Sequence, residues 1–304
     1  MNTVQYISYQ TIDFVKWDRC IDNAANGNVY AYSFYLDAMA KNWDALILND
    51  YEAVMPLTWN KKYGICYLYQ PFFCESLGVF GNNVTKQLFE KFITSIPGKF
   101  SYCDIYCNAA NYFDIDGINV YQRINYILPL QPGYEQLHGQ FRENIKRNIK
   151  KAAQLNCVIK TNIPVDAVIE LAKDQSVKFS PVNDEDYSHF KKVYQLLVSE
   201  NKATTYGVFT STNELVASCV FFFSHKRAYY ILVGNHPNGK TIGASHAIIN
   251  AFIKDYAGQD LLLDFEGSDI KNLAFFYSSF GATEEKYCGI KYNRLPFWMK
   301  WFKK

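Results

Sequence analysis

The sequence has little net charge and no long hydrophobic run. Its 31 basic and 29 acidic residues leave a formal charge of only +2, which argues against a surface that coats nucleic acid along its whole length. No segment comes near the ~18 consecutive apolar residues of a membrane-spanning helix, so we expect no stable insertion into a membrane. The first residues, MNTVQYISYQTIDF, lack the basic start and continuous apolar run of a signal peptide. A cytoplasmic protein is therefore expected, with any electrostatic function confined to a local surface.

Signatures of metal sites and of covalent nucleophiles are also missing. The eight cysteines include no C-x-x-C pair, and in a chain of this size a reduced set is expected rather than a disulfide framework or a zinc site. His225, His236 and His246 lie at turns and at a helix start without acidic or cysteine partners at ligand spacing, so we expect them at the surface rather than on a metal. No G-x-S-x-G turn suggests a serine nucleophile. We therefore expect no metal cofactor.

The two halves of the chain predict the same order of strands and helices. At 304 residues it is long enough for two domains of roughly 150 residues each. The second half predicts a strand, two helices, a three-stranded meander, a helix, a strand, a helix and a final strand, and the first of its helices is predicted over Val165–Phe179. The first half repeats that order more loosely. The predicted fold is α/β, with mixed sheets flanked by helices, in a first domain over residues 1–135, a linker helix over 136–155 and a second domain over 156–304.

A glycine turn before a helix is the clearest functional signal in the second half. Backbone N–H groups at such a helix N-terminus, with the helix dipole behind them, bind phosphate oxygens. The same turn also fits a simple helix opening that is capped by Ser245. In the first half, bulky aromatics and Glu75 stand at the corresponding place, so no phosphate site is expected there. The residues of the turn are Lys240, Thr241, Ile242, Gly243, Ala244 and Ser245.

The strand and helix after the turn carry further polar groups. An apolar strand ends in Asp264 and Glu266, which a strand would place on the same side, and the next helix carries Tyr277. A phosphate turn, a strand that ends in carboxylates and a helix with a phenol are the parts that an acyl-transfer site needs. Glu266 is the preferred general base, although both carboxylates also fit residues that order the following turn. Tyr277 equally fits a buried core residue.

These segments resemble the GNAT acyltransferase superfamily. Lys240–Ser245 is similar to its acyl-CoA pyrophosphate loop, and Asn272 opens a segment, NLAFFYSSFGA, that is similar to its later helix. The resemblance implies that Val233, on the strand before the turn, and Asn272 contact the donor together with the turn, and that a backbone amide of this strand binds the oxyanion. It implies acyl-CoA, such as acetyl-CoA, as the donor. It also implies that Tyr277 protonates the departing thiolate.

The whole chain resembles the two-domain Fem branch of that superfamily, the peptidoglycan-bridge aminoacyl transferases. The segments that carry the resemblance are QPF at Gln70, LGVFG at Leu77, the basic FRENIKRNIKKA, and LDFEGS before FGA. Fem enzymes take their acyl group from aminoacyl-tRNA, which implies a second possible donor. The resemblance implies tandem GNAT-like domains that are joined by the basic helix, with the active half on the C-terminal side.

The predicted linker helix has one basic face. It fits a solvated linker, or a surface that binds an anionic partner such as tRNA or a lipid-linked precursor. An aromatic, lysine-rich tail, Leu295–Lys304, fits either a peripheral position at the inner membrane surface or packing on the protein body. The basic residues of the helix are Arg142, Lys146, Arg147, Lys150 and Lys151.

Together these patterns predict an N-acyltransferase that moves an acyl group from acyl-CoA to an amine of a small molecule or peptide. Two alternatives stay open: a Fem-type transferase that uses aminoacyl-tRNA on a cell-wall precursor, and a non-catalytic GNAT-like binding protein.

Overall fold

A computed structural model describes residues 3–176, 182–267 and 269–295. The chain forms two compact units: unit 1 is Met1–Arg123 with Lys286–Lys304, and unit 2 is Ile124–Glu285. The helices are α1 (Phe14–Asn23), α2 (Ser33–Met39), α3 (Lys86–Thr94), α4 (Tyr134–Gly139), α5 (Glu143–Gln154), α6 (Val165–Ser176), α7 (Asp184–Ser199), α8 (Pro237–Ile242), α9 (Ala244–Tyr256) and α10 (Lys271–Ser278). The strands are β1 (Val4–Ile7), β2 (Asn42–Leu48), β3 (Ala53–Lys62), β4 (Ile65–Tyr69), β5 (Phe80–Gly81), β6 (Phe100–Cys107), β7 (Asn119–Pro129), β8 (Val158–Thr161), β9 (Ala203–Phe209), β10 (Leu215–Ser224), β11 (Arg227–Asn235), β12 (Leu262–Asp264) and β13 (Thr283–Asn293).

The two units are built on the same sheet plan. In unit 1, β1, β2, β3 and β4 pair antiparallel in chain order, β6 adds parallel to β4, and β13 closes that side antiparallel to β6. In unit 2, β8, β9, β10 and β11 pair antiparallel in chain order, β12 adds parallel to β11, and β7 is antiparallel to β12. The predicted α/β class, with mixed sheets flanked by helices, is confirmed.

The sixth strand of each sheet comes from the other half of the sequence. Cys288–Asn293 of β13 pairs with Tyr102–Cys107 in unit 1, whereas Ile127–Pro129 of β7 pairs with β12 in unit 2. The compact units therefore have limits other than residues 135 and 156. The boundaries predicted from the repeated order of elements stay a prediction, because strand pairing in space does not show where a sequence repeat begins or ends.

Helices cover both faces of the sheet in unit 2. A Cβ atom on Gly234 of β11 would lie 2.7 Å from the backbone nitrogen of Ala172 in α6. Its neighbour Val233 packs instead against the core cluster that contains Ile248 of α9. Because successive residues of a strand point to opposite faces, α6 and α9 lie on different sides of the sheet.

The basic helix belongs to unit 2. Its predicted range, 136–155, covers the end of α4 and all of α5, because the chain turns at residues 140–142. Ile145 and Ala152 of α5 are buried and Ile149 packs on the same core, so the apolar face of α5 docks on unit 2.

Two predictions reach residues outside the described part of the chain. The helix predicted over Val165–Phe179 is observed as α6, and its predicted residues 177–179 are outside that part. The same holds for residues 296–304 of the aromatic tail. Within the ranges that the structure describes, no helix has the length and apolar composition of a membrane span.

Candidate functional site

Strands β11 and β12 of unit 2 run side by side for only three residues. Their parallel register begins at Arg227 with Leu262 and ends at Tyr229 with Asp264, while β11 continues to Asn235. The register between β10 and β11 shifts beside Phe221, and such a bulge bends a strand and re-aims its residues. The segment from Tyr230 to Asn235 therefore extends past the end of β12. We call this place the strand opening.

Aromatic side chains surround the start of the strand opening. Phe265 directly follows β12, and its ring stacks on Tyr277 of α10 with centroids 4.5 Å apart and planes at 21°. The ring of Tyr230 meets Phe265 edge-on at 6.2 Å. Burial raises the pKa of the Tyr230 phenol, and the neighbouring Cys219 and Tyr277 add to the effect. The structure thus brings Tyr277 to the strand opening and also places its ring in the core, where 8% of the residue is exposed.

Asp264 and Glu266 do not share one face of a strand, contrary to the sequence-based prediction. Strand β12 ends at Asp264, and Glu266 has a left-handed backbone with φ of 63°. The Asp264 Oδ1 atom accepts hydrogen bonds from the Glu266 N–H at 2.9 Å and from Asn125 Nδ2 at 2.8 Å. A carboxylate that binds the backbone two residues ahead forms an Asx turn. Asp264 therefore shapes the chain after β12, and Glu266 lies beyond that turn.

Arg227 neutralises the charge of Asp264. Its guanidinium donates to Asp264 Oδ2 at 2.7 Å and to both oxygens of Glu285 at 2.9 and 2.5 Å. Burial disfavours the charged guanidinium, but hydrogen bonding to Glu285 and the charges of both carboxylates outweigh it and raise the pKa of Arg227. Because both of its oxygens are already engaged, Asp264 is better placed to hold the strand end than to accept a proton in a reaction.

The glycine turn is folded more tightly than an open loop. Lys240, Thr241 and Ile242 lie in α8, and Gly243 joins α8 to α9 with φ of 78°. Ala244 is fully buried. The simpler interpretation, in which Ser245 caps α9, is wrong. The Ser245 hydroxyl donates to Asn235 Oδ1 instead.

Helix α5 packs directly against this turn. A Cβ atom on Gly243 would lie 2.5 Å from the carbonyl oxygen of Asn148, and Lys151 Nζ donates to the Thr241 carbonyl at 2.7 Å. The glycine is therefore required by contact with α5, whatever else the turn binds. Lys240 of α8 and Arg147, Lys150 and Lys151 of α5 are all exposed.

The other predicted residues are spread over unit 2. Val233 is half-buried on β11 within the strand opening, and Asn272 is exposed in the first turn of α10. Arg142 lies over the ring of Phe275, with its guanidinium carbon 4.8 Å from the ring centroid. Lys146 pairs with Glu143 at 3.1 Å on the surface of α5. With Lys151, which donates to Thr241 of α8, three of the five basic residues thus have partners on their own or a neighbouring helix.

His246, in the first turn of α9, is a further residue whose predicted position was wrong. It is half-buried rather than at the surface, and its ring meets Phe276 edge-on with centroids 4.9 Å apart. Its Nδ1 atom is buried and has no hydrogen-bond partner among the described residues. Burial lowers the pKa of His246 from 6.5 to about 4, so the imidazole is neutral at pH 7. The spacing of His246, Ile249 and Ile253 on one helical face is the signal that predicts its burial.

Comparisons with known proteins support this architecture. No protein-family model matches the sequence, and no curated protein matches it. Among solved structures, FemX is 12% identical with a TM-score of 0.65, and the match covers 93% of this chain and 96% of that one. A conserved protein of unknown function from Bacteroides thetaiotaomicron is 11% identical, with a TM-score of 0.61 over 95% and 99% of the chains. The C-terminal domain of a putative lysylphosphatidylglycerol synthetase from Agrobacterium fabrum is 9% identical, with a TM-score of 0.56 over 93% and 92%. At these identities the similarity is one of fold, and that fold is the GNAT-like, Fem-type fold that the sequence predicted.

Proposed function

We propose that unit 2 transfers an acyl or aminoacyl group to an amine, with the reacting carbonyl in the strand opening. The observation that carries this proposal is the early end of the β11–β12 register at Tyr229 and Asp264. A strand that continues past its neighbour offers backbone groups to an extended ligand in the manner of an added strand. Tyr277 of α10 and His246 of α9 lie on the helices that follow β12 and β11.

Each chemical step has a candidate group in unit 2. The acceptor nitrogen attacks the carbonyl carbon, so a C–N bond forms and the bond to the donor oxygen or sulfur breaks. Backbone N–H groups within Tyr230–Gly234 would stabilise the oxyanion, a contribution commonly worth about 3 kcal/mol per donor. The Tyr277 phenol would give its proton to the leaving atom. The neutral imidazole of His246 or the carboxylate of Glu266 would take the proton from nitrogen.

For the donor, we propose aminoacyl-tRNA. In the glycine turn, the Asn148 carbonyl faces Gly243 and the Lys151 ammonium is bonded to Thr241. A carbonyl oxygen at this place repels a pyrophosphate, which argues against a compact cradle for acyl-CoA. The exposed charges of Arg147 and Lys150 suit a longer phosphate chain. The folds of FemX and of the Agrobacterium protein, whose name gives lysylphosphatidylglycerol as the product, are consistent with an aminoacyl donor and with a cell-wall or lipid-linked acceptor.

An acyl-CoA donor remains the second candidate. It is favoured by the N-terminus of the 13-residue helix α9, which follows a left-handed glycine and lies near Lys240 and Lys151. A helix dipole and two ammonium groups attract phosphate wherever backbone N–H groups are accessible.

The two donors are separated by binding measurements on one protein preparation. Reversing Arg147 and Lys150 together to glutamate should weaken binding of aminoacyl-tRNA and lower the slope of log affinity against log salt by about 1–2. The matched control reverses Lys192 and Lys202, two surface lysines elsewhere in unit 2, and should leave the slope unchanged.

Acetyl-CoA should not raise the melting temperature at near-millimolar concentration. Stabilisation by acetyl-CoA together with no binding of tRNA would instead favour the second candidate. If neither ligand binds and neither donor supports transfer to an amine, the proposed activity is wrong. Unit 2 would then be a non-catalytic GNAT-like protein that binds some other ligand.

A further inference from the structure

A polar cavity lies in unit 1, at the start of strands β2 and β6. Its volume is about 390 Å³, which falls in the range of roughly 300–1,000 Å³ that is usual for small-molecule sites. The 3₁₀ turn after β1, the end of α2, the first residues of β2 and Lys99, which precedes β6, form most of its walls. We propose that this cavity binds a neutral carbohydrate of one or two rings. The proposal rests on unit 1 alone and does not depend on the reaction proposed for unit 2.

Two opposite charges in the cavity, on the buried Asp44 and the half-exposed Lys99, are already matched with each other. Asp44 is buried, with 6% of its side chain exposed, and its Oδ2 atom lies 3.4 Å from the Lys99 ammonium. The same atom accepts the Tyr6 hydroxyl at 2.5 Å, and Asp44 Oδ1 accepts the backbone N–H of Tyr9 at 3.0 Å. The Lys99 ammonium also donates to the Tyr6 hydroxyl. A charged group of a ligand therefore finds no unmatched opposite charge at this level of the cavity.

The rim carries one charge of each sign. Asp37 and Lys41 are both exposed, and Asp37 Oδ1 accepts the indole N–H of Trp43 at 2.8 Å. An anionic ligand would approach Asp37 as well as Lys41, and a cationic ligand would meet Lys41 as well as Asp37. The cavity thus presents hydrogen-bond donors and acceptors in balance, without a net field that favours one sign of charge.

Aromatic rings form part of the same wall. Tyr9 is 36% exposed, and its ring is held edge-on against buried Trp43 at 5.6 Å and tilted against Phe14 at 5.3 Å. Tyr6 and Trp59 also line the cavity. An ordered aromatic ring at a polar opening supplies apolar contact area at little cost in conformational entropy.

A neutral sugar satisfies all of these conditions at once. Its hydroxyl groups both donate and accept, so they fit ammonium, amide and carboxylate neighbours without a change of charge. Its aliphatic ring faces pack on aromatic side chains. A purely apolar ligand would displace water from the exposed parts of Lys99 and Asp37 without replacing its hydrogen bonds, which is costly.

Three sugars that differ mainly in charge provide the test. Methyl glucoside is neutral, glucuronate is anionic and glucosamine is cationic, so binding of each reports the field of the cavity. By saturation-transfer NMR and titration calorimetry on the full chain, methyl glucoside should bind with a dissociation constant in the millimolar range, equivalent to about −4 kcal/mol. Glucuronate and glucosamine should bind no more tightly. Tighter binding of either charged sugar, or no binding of all three up to tens of millimolar, would overturn the proposal.

Two substitutions locate the bound sugar. Tyr9→Ala removes the exposed ring and should weaken methyl glucoside binding by at least about fivefold, because a stacked ring contributes about 1 kcal/mol or more. Tyr63→Ala removes a tyrosine that is 86% exposed in the β3–β4 turn of the same unit and should change nothing. If Tyr9→Ala does not fold, Asp37→Asn replaces it as the test, because this substitution keeps the shape of the rim. Asp37→Asn should change the affinity for the sugar and leave the melting temperature unchanged. Unchanged binding in a folded Tyr9→Ala protein would place the sugar elsewhere and refute the assignment.

Discussion

The backbone carbonyl of Asn148 lies 2.5 Å from the point where residue 243 would carry a Cβ atom. This contact joins α5 to the start of α9 and explains why glycine stands at the turn. It gives the glycine a structural role that is independent of any ligand.

Gly243→Ala should therefore destabilise the protein strongly. The new methyl group meets a backbone atom that cannot rotate away, and φ of 78° is unfavourable for alanine, so we expect a loss of about 2–4 kcal/mol in the free energy of unfolding. Gly258→Ala is the matched control, because Gly258 has φ of 85° but no atom within 4 Å of the place that its new methyl carbon would occupy; its loss should be about 1 kcal/mol. Urea unfolding measures both. Equal losses would mean that the contact with Asn148 relaxes freely.

Arg227→Met should be more damaging than a change at the residue beside it. It removes the partner of two largely buried carboxylates, Asp264 and Glu285, and breaking such a pair costs about 3–5 kcal/mol. Lys226 makes an ion pair with Asp260 in which both side chains are well exposed, so Lys226→Met should be markedly milder, as is usual for surface pairs. Chemical unfolding at pH 7 compares the two, and similar losses would argue that Arg227 is not needed at the end of β12.

His246 should make stability depend on pH between about 6.5 and 4. Its folded pKa of about 4 lies below the ordinary 6.5, so within this window the unfolded chain binds a proton that the folded chain does not. The free energy of unfolding should fall by about 2–3 kcal/mol as pH drops through the window, allowing for partial exposure. His246→Gln should lack this component and His189→Gln should keep it. Identical pH profiles for the wild type and His246→Gln would show that the imidazole is accessible to protons in the fold.

Tyr277→Phe should separate a catalytic phenol from a packing residue. The ring stack on Phe265 is kept, so stability should barely change, whereas turnover should fall by about 10²-fold if the hydroxyl protonates the leaving atom. Tyr256→Phe, on α9 with its ring stacked on Phe252 at 4.5 Å, is the control and should retain turnover. Full turnover of Tyr277→Phe, in an assay limited by chemistry, would assign Tyr277 to the core alone.

Local patterns predicted the order of elements well. Helix α1 spans Phe14–Asn23, and the apolar spacing and the Asp13 N-cap that define it, with Asp13 accepting the Lys16 N–H, are local features. The strand exchange, in which β13 completes the sheet of unit 1 and β7 completes that of unit 2, could not be predicted in this way. The strand beside β6 is Cys288–Asn293, which is far away in the sequence, and no pattern within either segment indicates this pairing.

The candidate site was predicted in part. Val233 lies within the strand opening and the ring of Tyr277 lies at its start, but a part in the reaction stays a prediction for both. The same-face placement of Asp264 and Glu266 was wrong, because β12 is two residues shorter than a continuous alternation implies. Only the fold shows that Arg227 forms an ion pair with Asp264 and that α5 packs on the glycine turn. In each case the two partners are distant in the sequence.

The strand exchange also sets an order of events during synthesis. The last neighbour of β6 in unit 1 is supplied by Cys288–Asn293, so the edge of that strand stays open on the ribosome until most of the chain has emerged. Ile127–Pro129, by contrast, precede their partner strand β12 and are ready when it appears. The half of the protein that is translated first is therefore the half whose sheet is completed last.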